Sequence, residues 1–172
     1  MTSLPIKHST SGVYLFHHDT DEGWRTGLIR HPVFDKWIQP GGHVEAHENP
    51  AQTALRELAE ETGFTEARLL PPPGPATPKT ADPHVPLPYW IMEHHVDGDN
   101  QLGLPHIHID YKYVALITNP VATSSPEHPF AWWRAQEIAN LSTFDDVKVN
   151  LEVLFAEFST NPPPSDSKST ST

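Results

Sequence analysis

Apolar and polar positions along the chain change their period several times, and each change marks an element. GVYLFHH (12–18) and WRTGLIRH (24–31) are rich in branched and aromatic residues and flank DTDEG, a turn-forming cluster, so they predict a hairpin. KWIQP (36–40) follows, and Pro40 argues against regular structure running across its junction with Gly41 and Gly42. From 50 to 62 the period becomes helical: Ala51, Ala54, Leu55 and Leu58 recur on one stripe and define the expected buried face. Both ends of this helix are marked. Asn49 suits the N-cap, Pro50 the first helical position and Gln52 the third residue of a capping box, while Gly63 is placed to terminate.

Beyond the helix, TEARLL (65–70) reads as a strand, and 71–88 holds eight prolines in eighteen residues, which excludes helix or central sheet and predicts a long surface loop. YWIMEHHV (89–96), HIHIDYKYVALIT (106–118) and FAWWR (130–134) read as strands. In 145–158, Val147, Leu151, Leu154, Phe155 and Phe158 share one stripe, so a second amphipathic helix closes the pattern. The organisation expected is a flexible lead over 1–7, one domain over 8–158 and a disordered tail over 159–172, which has little to bury.

Composition narrows the function. A length of 172 residues suits one domain. The formal charge, 11 − 22 = −11, argues against a broad grip on nucleic-acid backbones, so no DNA-binding surface is expected. An anionic small ligand would then need a metal or a local basic cluster. The absence of cysteine removes disulfides, zinc–thiolate sites and thiol nucleophiles. No apolar run approaches the roughly 18 residues of a membrane span, and no apolar stretch follows a basic N-terminal region, so the expectation is a cytoplasmic protein without membrane attachment.

The chemistry concentrates in the first helix. Glu57, Glu60 and Glu61 stand at i, i+3 and i+4, so three carboxylates share one patch. Like charges at this spacing cost a few tenths of a kcal/mol per pair in an isolated helix, and a bound divalent cation would reverse the sign. Oxygen-only donors favour a hard ion, Mg²⁺ or Mn²⁺. A solvated acidic face is the competing reading. The surroundings favour the first: Arg56 precedes Glu57, Glu48 lies just ahead of the helix, and the Gly41–Gly42 pair upstream suits a backbone that approaches a ligand closely.

Gly42, Glu48, Arg56, Glu57, Leu58, Glu60, Glu61, Gly63 and Phe64 match the spacing GX5EX7REUXEEXGU, U being a bulky apolar residue. That pattern is the signature of the Nudix hydrolases, which this chain therefore resembles. With seven fixed letters at about 5 to 10 per cent usage each, a chance match at a given start is on the order of 10⁻⁸. The resemblance implies an α/β fold, the Nudix α/β/α sandwich with a central mixed sheet, in a single domain.

It also implies a Mg²⁺-dependent pyrophosphohydrolase that cleaves a nucleoside diphosphate linked to another moiety by metal-activated water, with Mn²⁺ as a substitute ion. Glu57, Glu60 and Glu61 would be metal ligands, with the Gly41 carbonyl as a further one. Glu57 is in addition a candidate to deprotonate or orient the water. Arg56 would hold its neighbours in ligating rotamers, and Glu48 would fix the loop through Arg56 or through an outer-shell water. Glu93, Asp110, Glu127 and Glu137 are the alternative acidic candidates for a base outside the helix. The competing function is a non-catalytic Nudix-fold nucleotide sensor. Such modules tend to lose these carboxylates, and all are present here. The implied partner is a small nucleotide diphosphate substrate, and a homodimer is compatible with the reading.

Substrate contacts are assigned more loosely. His106, His108 and Asp110 alternate along one strand and so share a face, which could bind a transition metal, line the substrate cleft or simply be solvated. His94 and His95 are adjacent and must point to opposite faces. His43 flanks the signature and could touch a phosphate. Arg30, with Arg25 and Lys36 beside it, could meet terminal phosphates, although surface ion pairs are the default for such residues. Trp90, Trp132 and Trp133 could stack a base, but aromatic residues in strands more often belong to the core.

Overall fold

A computed structural model describes residues 4–75 and 80–164, so residues 1–3 of the expected lead, 76–79 of the proline loop and 165–172 of the expected tail lie outside the described residues. The strands are β1 (Lys7–Asp19), β2 (Gly23–His31), β3 (Lys36–Ile38), β4 (Gly41–His43), β5 (Arg68–Leu69), β6 (Trp90–Val96), β7 (His106–Leu116) and β8 (Phe130–Arg134). The helices are α1 (Pro50–Thr62), α2 (Ala135–Ile138) and α3 (Asp145–Thr160). The sheet runs β3-β2-β1-β7-β5, with β4 added to β1, β6 to β7 and β8 to β2. β1 and β7 pair in parallel; every other pair is antiparallel, so the sheet is mixed.

β1 organises this sheet because it is buried on both faces. Its period of two sends Val13 and Leu15 into one cluster with Tyr113, Ala115, Ala51, Ala54 and Leu58. Tyr14 and Phe16 enter the opposite cluster with Val114, Leu28, Leu151, Leu154, Phe155 and Phe158. α1 therefore covers one face and α3 the other, which gives the sandwich that the signature implies. Each fully buried Leu or Phe stabilises such a layer by about 1.5–3 kcal/mol. The five α3 residues expected to share a stripe are all buried. Trp90 and Trp133 pack against the α3 cluster and Trp132 against the α1 cluster, as core residues would.

Local signals place α1 well. Asn49 accepts from the Ala51 and Gln52 amides, Gln52 closes the capping box, and Gly63 ends the helix at φ 76°. One residue of its expected buried face departs: Leu55 is 38% exposed. The core stripe follows Ala51, Ala54, Leu58 and Glu61, at i, i+3, i+7 and i+10, and packs on β1 and β4, which leaves Leu55 beyond its edge.

Other boundaries shift for long-range reasons. The Ile107 amide donates to the Ile6 carbonyl and β1 starts at Lys7, so sheet structure reaches into the expected flexible lead. α3 continues to Thr160, two residues into the expected tail. Gln39 and Pro40 interrupt the backbone as Pro40 implied, with a three-residue strand on either side. The described parts of the proline loop carry neither helix nor strand.

Candidate active site

α1 and β4 together build the acidic site. β4 lies antiparallel to β1, with Thr10 opposite His43 and Gly12 opposite Gly41, and this pairing presents the two glycines to the helix. The Gly41 amide donates to Glu61 Oε2 at 2.9 Å. A Cβ on Gly41 would stand 2.5 Å from the Ser11 carbonyl oxygen, and one on Gly42 2.2 Å from Glu57 Oε1. Only hydrogen in place of a side chain lets this strand approach both the sheet and the carboxylates.

Arg56 is the hub of the cluster. Its Nε and Nη2 grip both oxygens of Glu48 at 2.7 and 3.0 Å, and Nη1 donates to Glu57 at 2.8 Å and to Glu60 at 3.0 Å. Nη2 also reaches the His43 carbonyl at 3.3 Å. Glu48 closes the loop onto the helix by accepting from Thr53 Oγ1 at 2.8 Å. The Arg56 hydrogen bonds push the Glu48 carboxyl down to about 2, and the same contact raises the guanidinium.

The carboxylates grade from covered to open. Glu61 is 6% exposed, Glu57 is half-buried, and the Glu60 side chain is 50% exposed. Burial pushes Glu61 up to about 8, opposed by the Gly41 amide and reinforced by Glu57, Glu127 and Glu60. Burial also raises Glu57.

A loop after β7 packs over the end of α1. The Thr123 amide donates to the Gly63 carbonyl at 2.8 Å and the Glu127 amide to the Glu60 carbonyl at 3.3 Å. This brings His128 Nε2 within 3.5 Å of Glu61 Oε1. Among the four alternative acids, Glu127 is the one whose charge acts on Glu61. Glu93 pairs with Lys7, Glu137 accepts from the Arg134 amide, and Asp110 pairs with the buried Lys112 at 2.5 Å. His128 went unnoticed in the sequence because it lies in an irregular stretch with no period to place it.

These residues fit a divalent cation. Among the described residues, Arg56 alone compensates Glu48, Glu57 and Glu60, while Glu61 keeps a buried carboxyl whose one ion-pair partner is His128. Hard oxygen donors on one helix face beside a glycine-lined strand suit a hard divalent cation.

The looser assignments separate. Arg30 pairs with Asp35 in solvent, Arg25 with Asp19 and Glu22, and Lys36 with the Thr143 carbonyl, so the structure brings none of the three to the carboxylates. His106 and His108 do share a face, but Asp110 does not complete their group: it is held by Lys112 and faces His94 at 3.7 Å. The acid beside these two histidines is Asp99, from the turn after β6, and His43 joins them from β4. The sequence offered no cue for Asp99, because only the β6–β7 pairing folds that turn back onto the strand.

A NUDIX domain model matches residues 9–148. The chain belongs to the Nudix family. It is similar over 42 residues, at 45% identity, to a probable DHNTP pyrophosphohydrolase of Lactococcus lactis subsp. cremoris, covering 24% of this chain and 25% of the relative. It is 34% identical over 89 residues to a bis(5'-nucleosyl)-tetraphosphatase (asymmetrical) of Rattus norvegicus, covering 46% of this chain and 56% of that protein. These matches thus span about half or less of each relative. The Nudix fold itself extends further: a NUDIX-family hydrolase structure from Clostridium perfringens superposes with TM-score 0.64 at 19% identity, over 87% of this chain and 96% of the other. No helix among the described residues is long and apolar enough to cross a membrane.

Proposed function

We propose that the chain is a Mg²⁺-dependent pyrophosphohydrolase that cleaves a nucleoside diphosphate linked to another moiety. The observation that carries this reading is the placement of Glu57, Glu60 and Glu61 on one face of α1, with Arg56 Nη1 bound to Glu57 and Glu60 and the Gly41 amide bound to Glu61. These three glutamates would hold the ion, with the Gly41 carbonyl as a further donor and Mn²⁺ as a substitute. Bound there, Mg²⁺ would lower the pKa of water and neutralise phosphate oxygens. The protein's own residues position and take protons. Arg56 and Glu48 hold the Glu57 carboxylate at its station. As water attacks phosphorus, the bond to the leaving phosphate breaks and a carboxylate takes the water's proton. Glu57 on α1 and Glu127 on the overlying loop would be the candidates for that step. The name of the Rattus norvegicus relative, a bis(5'-nucleosyl)-tetraphosphatase, makes nucleoside polyphosphates the substrate class to try first.

The test is phosphate release with Mg²⁺ or Mn²⁺ over nucleoside triphosphates, nucleotide sugars, ADP-ribose, dinucleotides and capped RNA. Turnover that depends on the ion and disappears in Glu57→Gln supports the reading. Binding without hydrolysis of any of them would favour a nucleotide sensor instead.

A further inference from the structure

A second cluster of potential ligands shares no side chain with the glutamate cluster, and its histidines come from three strands. His106 and His108 alternate on β7, His8 stands opposite His108 on the neighbouring β1, and His43 lies on β4 opposite Thr10. The turn between β6 and β7 delivers Asp99 to the same place. Asp99 Oδ2 is 2.9 Å from His108 Nε2, 3.0 Å from His43 Nε2 and 3.1 Å from His106 Nε2, and the His106 and His108 Nε2 atoms are 2.9 Å apart. One donor atom from each of these four residues lies within 4.8 Å of all the others.

The outer contacts dictate what these atoms present. His106 Nδ1 lies 2.7 Å from the Leu104 carbonyl oxygen, which can only accept, so Nδ1 carries the proton and the neutral ring keeps its lone pair on Nε2. Asp99 Oδ1 accepts from the Gln101 and Leu102 amides at 2.8 and 2.7 Å, which turns Oδ2 alone toward the rings. His43 Nε2 is buried without a hydrogen-bond partner despite its closeness to Asp99, because the approach lacks hydrogen-bond geometry. His8 Nδ1, in a ring 4.9 Å from that of His106, is likewise buried and unpartnered. Three ring nitrogens thus crowd one carboxylate oxygen, more than hydrogen bonding can serve. A cation at their centre would use all four lone pairs. Tetrahedral bonds of about 2.0–2.1 Å to nitrogen and oxygen give donor–donor edges of about 3.3 Å, close to the four spacings of 2.9–3.1 Å above, with the other two pairs within 4.8 Å.

We propose that His43, Asp99, His106 and His108 form a transition-metal site of the zinc class, separate from the glutamate site. Three imidazoles and one carboxylate suit Zn²⁺ and not Mg²⁺, which takes oxygen donors. Four protein ligands fill a tetrahedral shell and leave no position for substrate, so the ion is structural. It ties the Asp99 turn and β7 to β4, the strand that supplies Gly41 and Gly42 to the acidic helix. The site stands whether or not the chain hydrolyses nucleotides.

The test uses the untagged full chain, loaded with Zn²⁺, desalted and analysed for metal. The expected result is about one zinc per chain, retained in the Glu57→Gln/Glu60→Gln double variant and lost in Asp99→Asn and in His108→Gln. Zinc should raise the melting temperature of the wild-type chain and not that of His108→Gln. Cobalt loading of the wild-type chain provides a measurement independent of variant folding, and the strong visible bands of tetrahedral Co²⁺ are expected. Weak octahedral bands, no retained zinc, or zinc that survives in His108→Gln and leaves with the glutamates would each overturn the proposal.

Discussion

The Gly41 amide holds Glu61 Oε2 at 2.9 Å, joining a short strand to a helix face twenty residues away in sequence. Glu61 is at once a core-facing residue of α1 and a member of the acidic site, and this double position makes it sensitive to pH. Burial raises its folded value to about 8 from an ordinary 4.5. Between those values the folded chain binds a proton that the unfolded chain does not. Without divalent ions, this contribution to stability is therefore full below about pH 4.5 and is lost as pH rises toward 8. Glu61→Gln, which keeps an acceptor for the Gly41 amide, should flatten that fall. Urea midpoints at about pH 5 and pH 8 check it; equal slopes in variant and wild type would refute the assignment.

Replacing Glu57 or Glu60 by Gln removes the charge of a proposed metal ligand with little change in shape. A metal contribution of several kcal/mol to the transition state corresponds to a loss of about 10²–10³-fold in turnover. The fold should survive, since Glu60 is half-exposed and Glu57 partly so. Turnover at saturating Mg²⁺, with circular dichroism as a control, decides the matter. Wild-type activity in either variant would remove these residues from the mechanism.

Arg56→Lys keeps the charge but loses the fork that grips both Glu48 oxygens while also reaching Glu57 and Glu60. A loss of about 1–3 kcal/mol is expected from the charge-assisted bonds given up. Because Glu48 shares those bonds, Glu48→Gln in the Arg56→Lys background should cost much less than Glu48→Gln alone. Additive losses in a denaturation cycle would contradict a shared network.

Gly63 ends α1 at φ 76°, and a Cβ there would stand 2.2 Å from the Ser124 carbonyl oxygen. Gly63→Ala should cost at least about 1 kcal/mol from backbone strain alone. It should also displace the loop that carries Glu127 and His128. If Glu127 takes part in proton transfer, turnover falls further than stability; equal activity per folded molecule would leave Glu57 as the base.

The two leucines of α1 give a contrast within one helix. Leu58 is fully buried and Leu55 is 38% exposed. Leu58→Ala should cost about 2–5 kcal/mol, and Leu55→Ala less than about 1 kcal/mol. Comparable losses in thermal unfolding would mean that the core stripe is wider than its burial indicates.

The amino-acid sequence by itself determined what depends on neighbours within a few turns of backbone. The caps at Asn49 and Gly63, the spacing of Glu57, Glu60 and Glu61, the buried stripe of α3 and the shared face of His106 and His108 all follow from the periods of helix and strand. Tertiary structure decided what those periods leave open. It placed Leu55 outside the core, because the packing of α1 on β1 and β4 sets which edge of the stripe is covered. It left Arg30 paired with Asp35 and exchanged Asp110 for Asp99 beside the histidines, because strand pairing and a folded-back turn fix which side chains meet across long separations. It also gathered His43 with Asp99, His106 and His108, which lie 56, 63 and 65 positions away, where three strands and one turn now converge.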